Sequence, residues 1–335
     1  MGDSVCQSIS REPTGCSSGS ISDHVLTILV ATSVVRGSRQ GESHGGVYLV
    51  DFGADRAARV LDWNTMGIDW QGRGWDRGLR GIEFDGATVY IAASDELFAY
   101  TPDFRPVGSW RNRYLKHCHE ICRHERTLFL TSTGFDSILG FDLDAKSFSW
   151  GLQVAAVGDG FAGRPFDPEF ETGPVPGNRL HLNNVFCAPG GMHISGMRTG
   201  GVLLFNGREI RRWVTIPVGA HNARPFRDGV LFNDTEADVV RFASRSGADR
   251  VFPVPRYPVR QLTHVDPEDT RLARQAFGRG LCVIDDDRFA AGSSPSTVAL
   301  HDLRPGIRGR MVTLSHDVRN AIHGLEVWPY DWIGG

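Results

Sequence analysis

Three of the twelve histidines, His119, His221 and His323, follow one another at equal intervals of 102 residues, and each stands two residues before an apolar position, Ile121, Ala223 and Leu325. Equal spacing is the mark of a repeat that returns one residue type to one structural position. Neutral imidazole is the commonest metal ligand, and three imidazoles converging from equivalent positions would form a tripod with open places for water or substrate. His181 is the candidate fourth ligand. All-nitrogen ligation points to a transition metal, iron or copper first and zinc as the alternative, because calcium and magnesium prefer oxygen. Arg80, Asn183 and Arg279 hold the same place in the intervening copies. Two guanidinium groups grip a carboxylate or phosphate in a bidentate fork, so these three residues are the candidate substrate-binding set and the expected partner is a small anionic molecule. Glu120 directly follows His119 and is the candidate catalytic residue, as a base or as an orienting group for an imidazole. The plainer alternative is that the histidines bond neighbouring structural units and the arginines pair with acids such as Glu83, Glu120 or Glu326.

The elements that must position these residues are legible as degenerate copies of one shape. Arg80 to Ala93, His119 to Ser132, Asn183 to Gly196, His221 to Asp234 and Arg279 to Gly292 each read as a short strand, a tight polar turn and a second strand. Asp85-Gly86 and Asp228-Gly229 are hairpin dipeptides between apolar runs, and Pro189-Gly190 holds the same place in its copy. The sixth copy, from His323 to Pro329, stops after one strand, whereas Val25 to Val35 near the N-terminus reads as a second strand with no first before it. The C-terminal strand therefore completes the N-terminal unit. Two further candidate strands follow each hairpin, such as Glu96 to Tyr100 with Pro106 to Trp110, and Ser137 to Asp142 with Ser147 to Leu152. Four strands in each of six units, closed by sharing one unit between the chain ends, predict an all-β fold, a six-bladed β-propeller. Residues 157–179 and 255–278 read as long loops or lids, residues 1–23 as a disordered Ser- and Gly-rich tail, and residues 24–335 as a single propeller domain.

The repeats resemble, at the level of fold only, the six-bladed propellers of the gluconolactonase and strictosidine-synthase type. The resemblance implies an architecture and no reaction, since no catalytic motif of those families recurs here. A histidine centre inside a propeller also resembles the carotenoid-cleaving oxygenases, which implies ferrous iron on four imidazoles. Those enzymes are seven-bladed and much longer, and their outer glutamates have no matching positions in this chain.

Composition narrows the function classes. The formal net charge of −3 gives no overall positive field, so no nucleic-acid partner is expected. No stretch reaches the roughly 20 apolar residues of a spanning helix, so no membrane partner is expected either. Six cysteines without a CxxC pair argue against a zinc knuckle and a secreted disulfide framework, and with no signal peptide legible a cytoplasmic protein is expected. Nucleotide-binding, zincin and α/β-hydrolase motifs do not occur. Trp63, Trp110, Trp150 and Trp213 fall near the ends of fourth strands and are expected to pack blade against blade. The functional expectation is a metal-dependent enzyme, an oxidoreductase acting on a small anionic substrate. A metal-dependent lyase or hydrolase is the second expectation, and a non-catalytic propeller that binds a protein or peptide is the third.

Overall fold

The structure is a computed structural model. It describes residues 27–39, 41–63, 78–265 and 273–334, so the expected tail 1–23 lies outside the described residues. The strands form six antiparallel sheets, five of four strands and one of five. Blade 1 is made by Ile28–Val35, Gly45–Asp51 and Arg56–Asp62 together with the C-terminal strand Asn320–Val327, which lies innermost. This is the closure read from the truncated copy. Blades 2 to 6 open with the inner strands Leu79–Asp85, Ile121–His124, Leu182–Ala188, Ala220–Phe226 and Phe277–Val283. Each inner strand packs against those of its two neighbours, and the ring closes where Phe277–Val283 meets Asn320–Val327.

Apolar residues alternate along these strands so that both faces of a blade are covered by the blades beside it. Six buried clusters result, one at each seam. Three of the expected tryptophans cross a seam: Trp63 meets Phe98 with ring centres 5.0 Å apart, Trp110 meets Phe141 at 5.0 Å, and Trp150 meets Phe205 at 6.2 Å. Trp213 instead packs on His193 of its own blade at 4.7 Å.

Three local expectations are corrected. The hairpin of blade 2 pairs Asp85 with Thr88, so its turn residues are Gly86 and Ala87 rather than Asp85 and Gly86. The hairpin of blade 5 pairs Phe226 with Gly229, so its turn residues are Arg227 and Asp228 rather than Asp228 and Gly229. Arg227 takes the left-handed conformation at φ 51°, and Gly229 enters the strand because a Cβ there would lie 2.0 Å from the Ala243 carbonyl oxygen. The stretch 157–179 is not wholly loop: Gly160–Phe166 pairs with Ser147–Val157 and adds the fifth strand of blade 3. Among the described residues no helix is long and apolar enough to cross a membrane.

Candidate functional site

The six residues aligned from the repeats occupy equivalent places at one end of the inner strands, and the register shows how they come to do so. In five of the six blades the pairing of inner and second strand shifts at the ring position: around Arg80-Gly81, Asn183, Asn222-Ala223, Arg279-Gly280 and His323-Gly324. A β-bulge places an extra residue on one strand and re-aims its side chain, and bulges concentrate beside functional sites. In blade 3 the Thr131 hydroxyl does the equivalent work, accepting the backbone N–H of both His119 and Glu120 at 2.9 and 3.0 Å. The glycine after Arg80 and after His323 is demanded by the crowding of inner strands. A Cβ on Gly81 would lie 2.6 Å from the Ile121 nitrogen, and one on Gly324 would lie 2.2 Å from the Arg80 carbonyl oxygen.

Arg80, Asn183, His221, Arg279 and His323 are buried and His119 is half-buried. His119 stands beside His181, with ring centres 5.4 Å apart, and beside His323 at 6.2 Å. His221 packs edge-on against Phe277 at 5.6 Å. Phe277 also carries the Arg279 guanidinium at 4.8 Å from its ring centre, with Arg274 at 4.9 Å and Arg36 at 5.5 Å. The mouth is therefore cationic, with an aromatic face that holds the guanidinium groups in place.

The imidazoles have defined tautomers. Nδ1 of His221 lies 3.1 Å from the Gly219 carbonyl oxygen, which can only accept, so Nδ1 carries the hydrogen and Nε2 is a lone pair. Nδ1 of His119 lies 2.8 Å from the His117 carbonyl oxygen and 3.0 Å from Thr133 Oγ1. The Thr133 hydroxyl donates to the Leu182 carbonyl, so it accepts from His119, and His119 Nε2 is likewise bare. Nε2 of His221, Nε2 of His323 and Oδ1 of Asn183 are buried without a protein hydrogen-bond partner, although such groups are nearly always paired.

Burial, then the charges of Arg80 and Arg279, holds His119 well below the usual imidazole range. His221 and His323 are held down in the same way, first by burial and then by Arg279, and His181 falls to about 4. The ring is thus a set of neutral imidazoles in a positive field.

Three residues that shape this mouth escaped the reading of the sequence. Thr133 fixes the tautomer of His119. Asp136 clamps the segment that bears His181: its Oδ2 accepts from Arg179 N at 2.5 Å and Leu180 N at 3.0 Å, and its Oδ1 accepts from His181 N at 2.9 Å. His117 and His181 adopt φ of 54° and 56°, so a left-handed backbone and not strand alternation places them. Such conformations cost of order 1–3 kcal/mol and gather at functional sites. Arg224 is the third, and it belongs to a layer beneath the ring. There Glu120 Oε2 accepts from Asn222 Nδ2 at 2.8 Å, across the channel, and Arg224 lies 3.5 Å from Glu326 and stacks on Phe186 at 5.4 Å. Glu83 ties blade 2 to blade 3 by accepting from Arg123 N at 2.9 Å. Burial raises Glu83, Glu120 and Glu326 to about 7 each, and Arg224 partly offsets this for Glu120 and Glu326. Glu120 therefore joins the acidic layer and takes its hydrogen bonds from Asn222 and from Ile121 N rather than from an imidazole.

Among the described residues, no three His, Cys, Asp or Glu groups stand where one ion could be held. Two imidazoles on one tetrahedral ion, at the usual metal–nitrogen distance, have ring centres about 5 Å apart. The 5.4 Å between His119 and His181 approaches this and the 6.2 Å between His119 and His323 exceeds it. The mouth gathers the expected ligands without closing them into the expected tripod. The physical reason is electrostatic: the guanidinium groups of Arg80 and Arg279 oppose a further cation.

No family model matches the chain, and no curated protein matches it. Among solved structures it is similar to a chain of a nidogen/laminin complex, at 11% identity and a TM-score of 0.53, covering 90% of this chain and 98% of that one. It is similar to a catalytically inactive virginiamycin B lyase from Staphylococcus aureus with quinupristin, at 10% identity and a TM-score of 0.46, covering 85% and 80%. It is also similar to apo AztD from Citrobacter koseri, at 11% identity and a TM-score of 0.46, covering 90% and 98%. Likenesses this distant concern the fold alone, and the chain is a six-bladed β-propeller, as the repeats implied.

Proposed function

We propose that the cationic mouth is the active site of an enzyme that takes a small anionic, hydroxyl-bearing molecule and moves a proton on it, in an elimination or a hydrolysis. The observation that carries this reading is the pair of buried imidazole nitrogens, His221 Nε2 and His323 Nε2, that find no protein partner at a mouth lined by Arg80 and Arg279. Guanidinium groups take the anion. The bare nitrogens of His119 and His221 and the oxygen of Asn183 can only accept, so the ligand must also bring donors, as a hydroxy acid does.

Binding of the anion and basicity of the imidazoles are coupled. After burial, the arginines are what keep His119 neutral. A carboxylate seated between Arg80 and Arg279 offsets that field, so the substrate itself raises the imidazole toward the range of a working base. The buried carboxyl of Glu120, raised to about 7, lies one residue from His119 in the layer below.

The test is a panel of hydroxycarboxylates, their lactones and their phosphate esters, followed by histidine NMR. A true ligand moves the His119 and His221 resonances, raises their titration midpoints, and loses affinity in Arg279→Gln. A panel in which no member shifts any ring histidine would overturn the reading and leave a propeller that recognises a protein or peptide.

A second reading retains the metal. Nδ1 of His119 and His221 is held on backbone oxygens and that of His181 on Asn178 Oδ1 at 3.0 Å, which is how metal-ligating imidazoles are oriented. The donors suit iron, copper or zinc in chemistry and not in spacing, and no step is assigned to an ion. Elemental analysis of untagged protein purified without added metal tests it. A near-stoichiometric transition metal that is lost in His119→Ala/His221→Ala would restore the metal centre, and a redox-active one would restore the oxidoreductase.

A further inference from the structure

Cys122 on the inner strand Ile121–His124 and Cys187 on the inner strand Leu182–Ala188 face each other across the seam between blades 3 and 4. The backbone N–H of Cys187 donates to Cys122 Sγ at 3.3 Å, so the two residues are in direct contact. Cys122 is 7% exposed and Cys187 is half-buried, so Cys187 is the more accessible residue of the two. We propose that this pair is a hydroperoxide-responsive modification site, in which Cys187 is oxidised first and Cys122 then closes an inter-blade disulfide.

The electrostatics agree with that order. Contact with Cys122 lowers Cys187, against burial and the charge of Glu83, while contact with Cys187 and burial raise Cys122. Burial pushes Cys118 up to about 12 and holds Cys282 well above the usual thiol range. Among the described cysteines, Cys187 is the one that is not buried, and access to solvent is one of the two properties that set thiol reactivity.

The chemistry balances in two steps. The Cys187 thiolate attacks the peroxide, an S–O bond forms, the O–O bond breaks, and the leaving oxygen departs as water or an alcohol once protonated. The Cys122 sulfur then attacks the sulfenic sulfur, an S–S bond forms, and the hydroxyl leaves as water with the Cys122 proton. The two thiols lose two electrons and the hydroperoxide gains them. The product staples the inner strand that follows His119 to the one that bears Asn183, two walls of the same mouth.

The experiment uses the full chain with Cys6→Ser and Cys16→Ser, so that only described cysteines report. It is treated with hydrogen peroxide and mapped by mass spectrometry without reduction. The expected result is one linked peptide pair, Cys122 with Cys187, lighter by two hydrogens and restored by dithiothreitol. In Cys122→Ser, a sulfenic-acid trap should label Cys187 instead. In the unoxidised chain, Cys187 should alkylate at least about tenfold faster than Cys118 and Cys282. The proposal is overturned if Cys187 alkylates no faster than they do, if it oxidises without a link to Cys122, or if the linked pair involves other cysteines. The alkylation measurement needs no change at either proposed cysteine, so misfolding of Cys122→Ser would not shelter the idea.

Discussion

Asp136→Asn is the substitution that most directly tests how the mouth is built. The carboxylate is 6% exposed and receives three backbone N–H donors, from Arg179, Leu180 and His181, at 2.5, 3.0 and 2.9 Å. Asparagine keeps the shape and tolerates the left-handed backbone at φ 45°. It exchanges one accepting oxygen for an NH2 donor. If the amide turns its nitrogen toward His181, one charge-assisted bond is lost and two become neutral; in the other orientation two are lost. A hydrogen bond to a charged group contributes about 1.5–3 kcal/mol, and a donor left unpaired in the interior costs about 1–3 kcal/mol. The expected destabilisation is about 2–4 kcal/mol, which at roughly 2–4 °C per kcal/mol lowers the melting temperature by several degrees. Urea unfolding followed by tryptophan fluorescence measures it. The same variant should loosen His181 from its contact with His119, seen as a change in both histidine signals. Stability within about 0.5 kcal/mol of the parent would mean that the Asp136 clamp does not hold this segment, because surface-like substitutions fall in that range.

Further outcomes follow from the same geometry. His221→Gln removes a base whose Nε2 has no protein partner, so turnover of a ligand found by the panel should fall by about 10²–10⁴ while stability changes by less than about 1 kcal/mol; a proportionate loss of both would make His221 structural. Arg279→Lys keeps the charge and loses the planar fork and its stacking on Phe277, so affinity for the anion should fall about tenfold, read by calorimetry, and an unchanged affinity would remove Arg279 from the site. Stability should decline as pH rises from about 6.5 to 8. The Glu83, Glu120 and Glu326 carboxyls are raised from 4.5 to about 7, so the protons they bind only in the folded chain stabilise it fully below about 4.5; this contribution is lost as pH rises through about 7, its last part within this window. The depressed imidazoles act only below about 6.5, where the unfolded chain takes up protons that the folded chain refuses. Glu120→Gln should flatten the slope above 6.5, and denaturation midpoints that rise with pH there would contradict the assignment.

The ring was legible because repetition leaves a trace that needs no alignment with other proteins. Arg80, His119, Asn183, His221, Arg279 and His323 recur at one place in a strand-turn-strand unit, and the ring closure of the fold sends that place to one mouth. The orientation of each side chain was not legible. It depends on bulges at Arg80-Gly81 and its equivalents, which shift register without altering the pattern of apolar residues. Strand alternation cannot place His117 or His181, both in left-handed backbone, and the segment of His181 is held by a contact distant in the chain, the Asp136 clamp. The same limit applied to Glu120. Its neighbour in sequence is His119, and its neighbours in space are Asn222 and Arg224, from blade 5 across the channel.

That separation bears on the chemistry. None of the hydrogen bonds that fix Nδ1 of His119, His181 and His221 goes to a carboxylate; the partners are carbonyl, hydroxyl and amide oxygens. A carboxylate on Nδ1 would favour the imidazolium and raise the pKa, as an opposite charge does. Here the acids Glu83, Glu120 and Glu326 are gathered with Arg224 in the layer below, and the arginines Arg80 and Arg279 stand with the imidazoles. The protein is thus biased toward neutral rings, and a negative charge brought beside Arg80 and Arg279 would shift that bias. On the proposed function, that charge comes with the anionic ligand. If this is how the site works, a ligand analogue with its carboxylate replaced by an amide should bind weakly and leave the His119 titration where it is in the free protein, whereas the acid should move it upward. Equal shifts from acid and amide would mean that contact or desolvation, and not charge, sets the state of the ring.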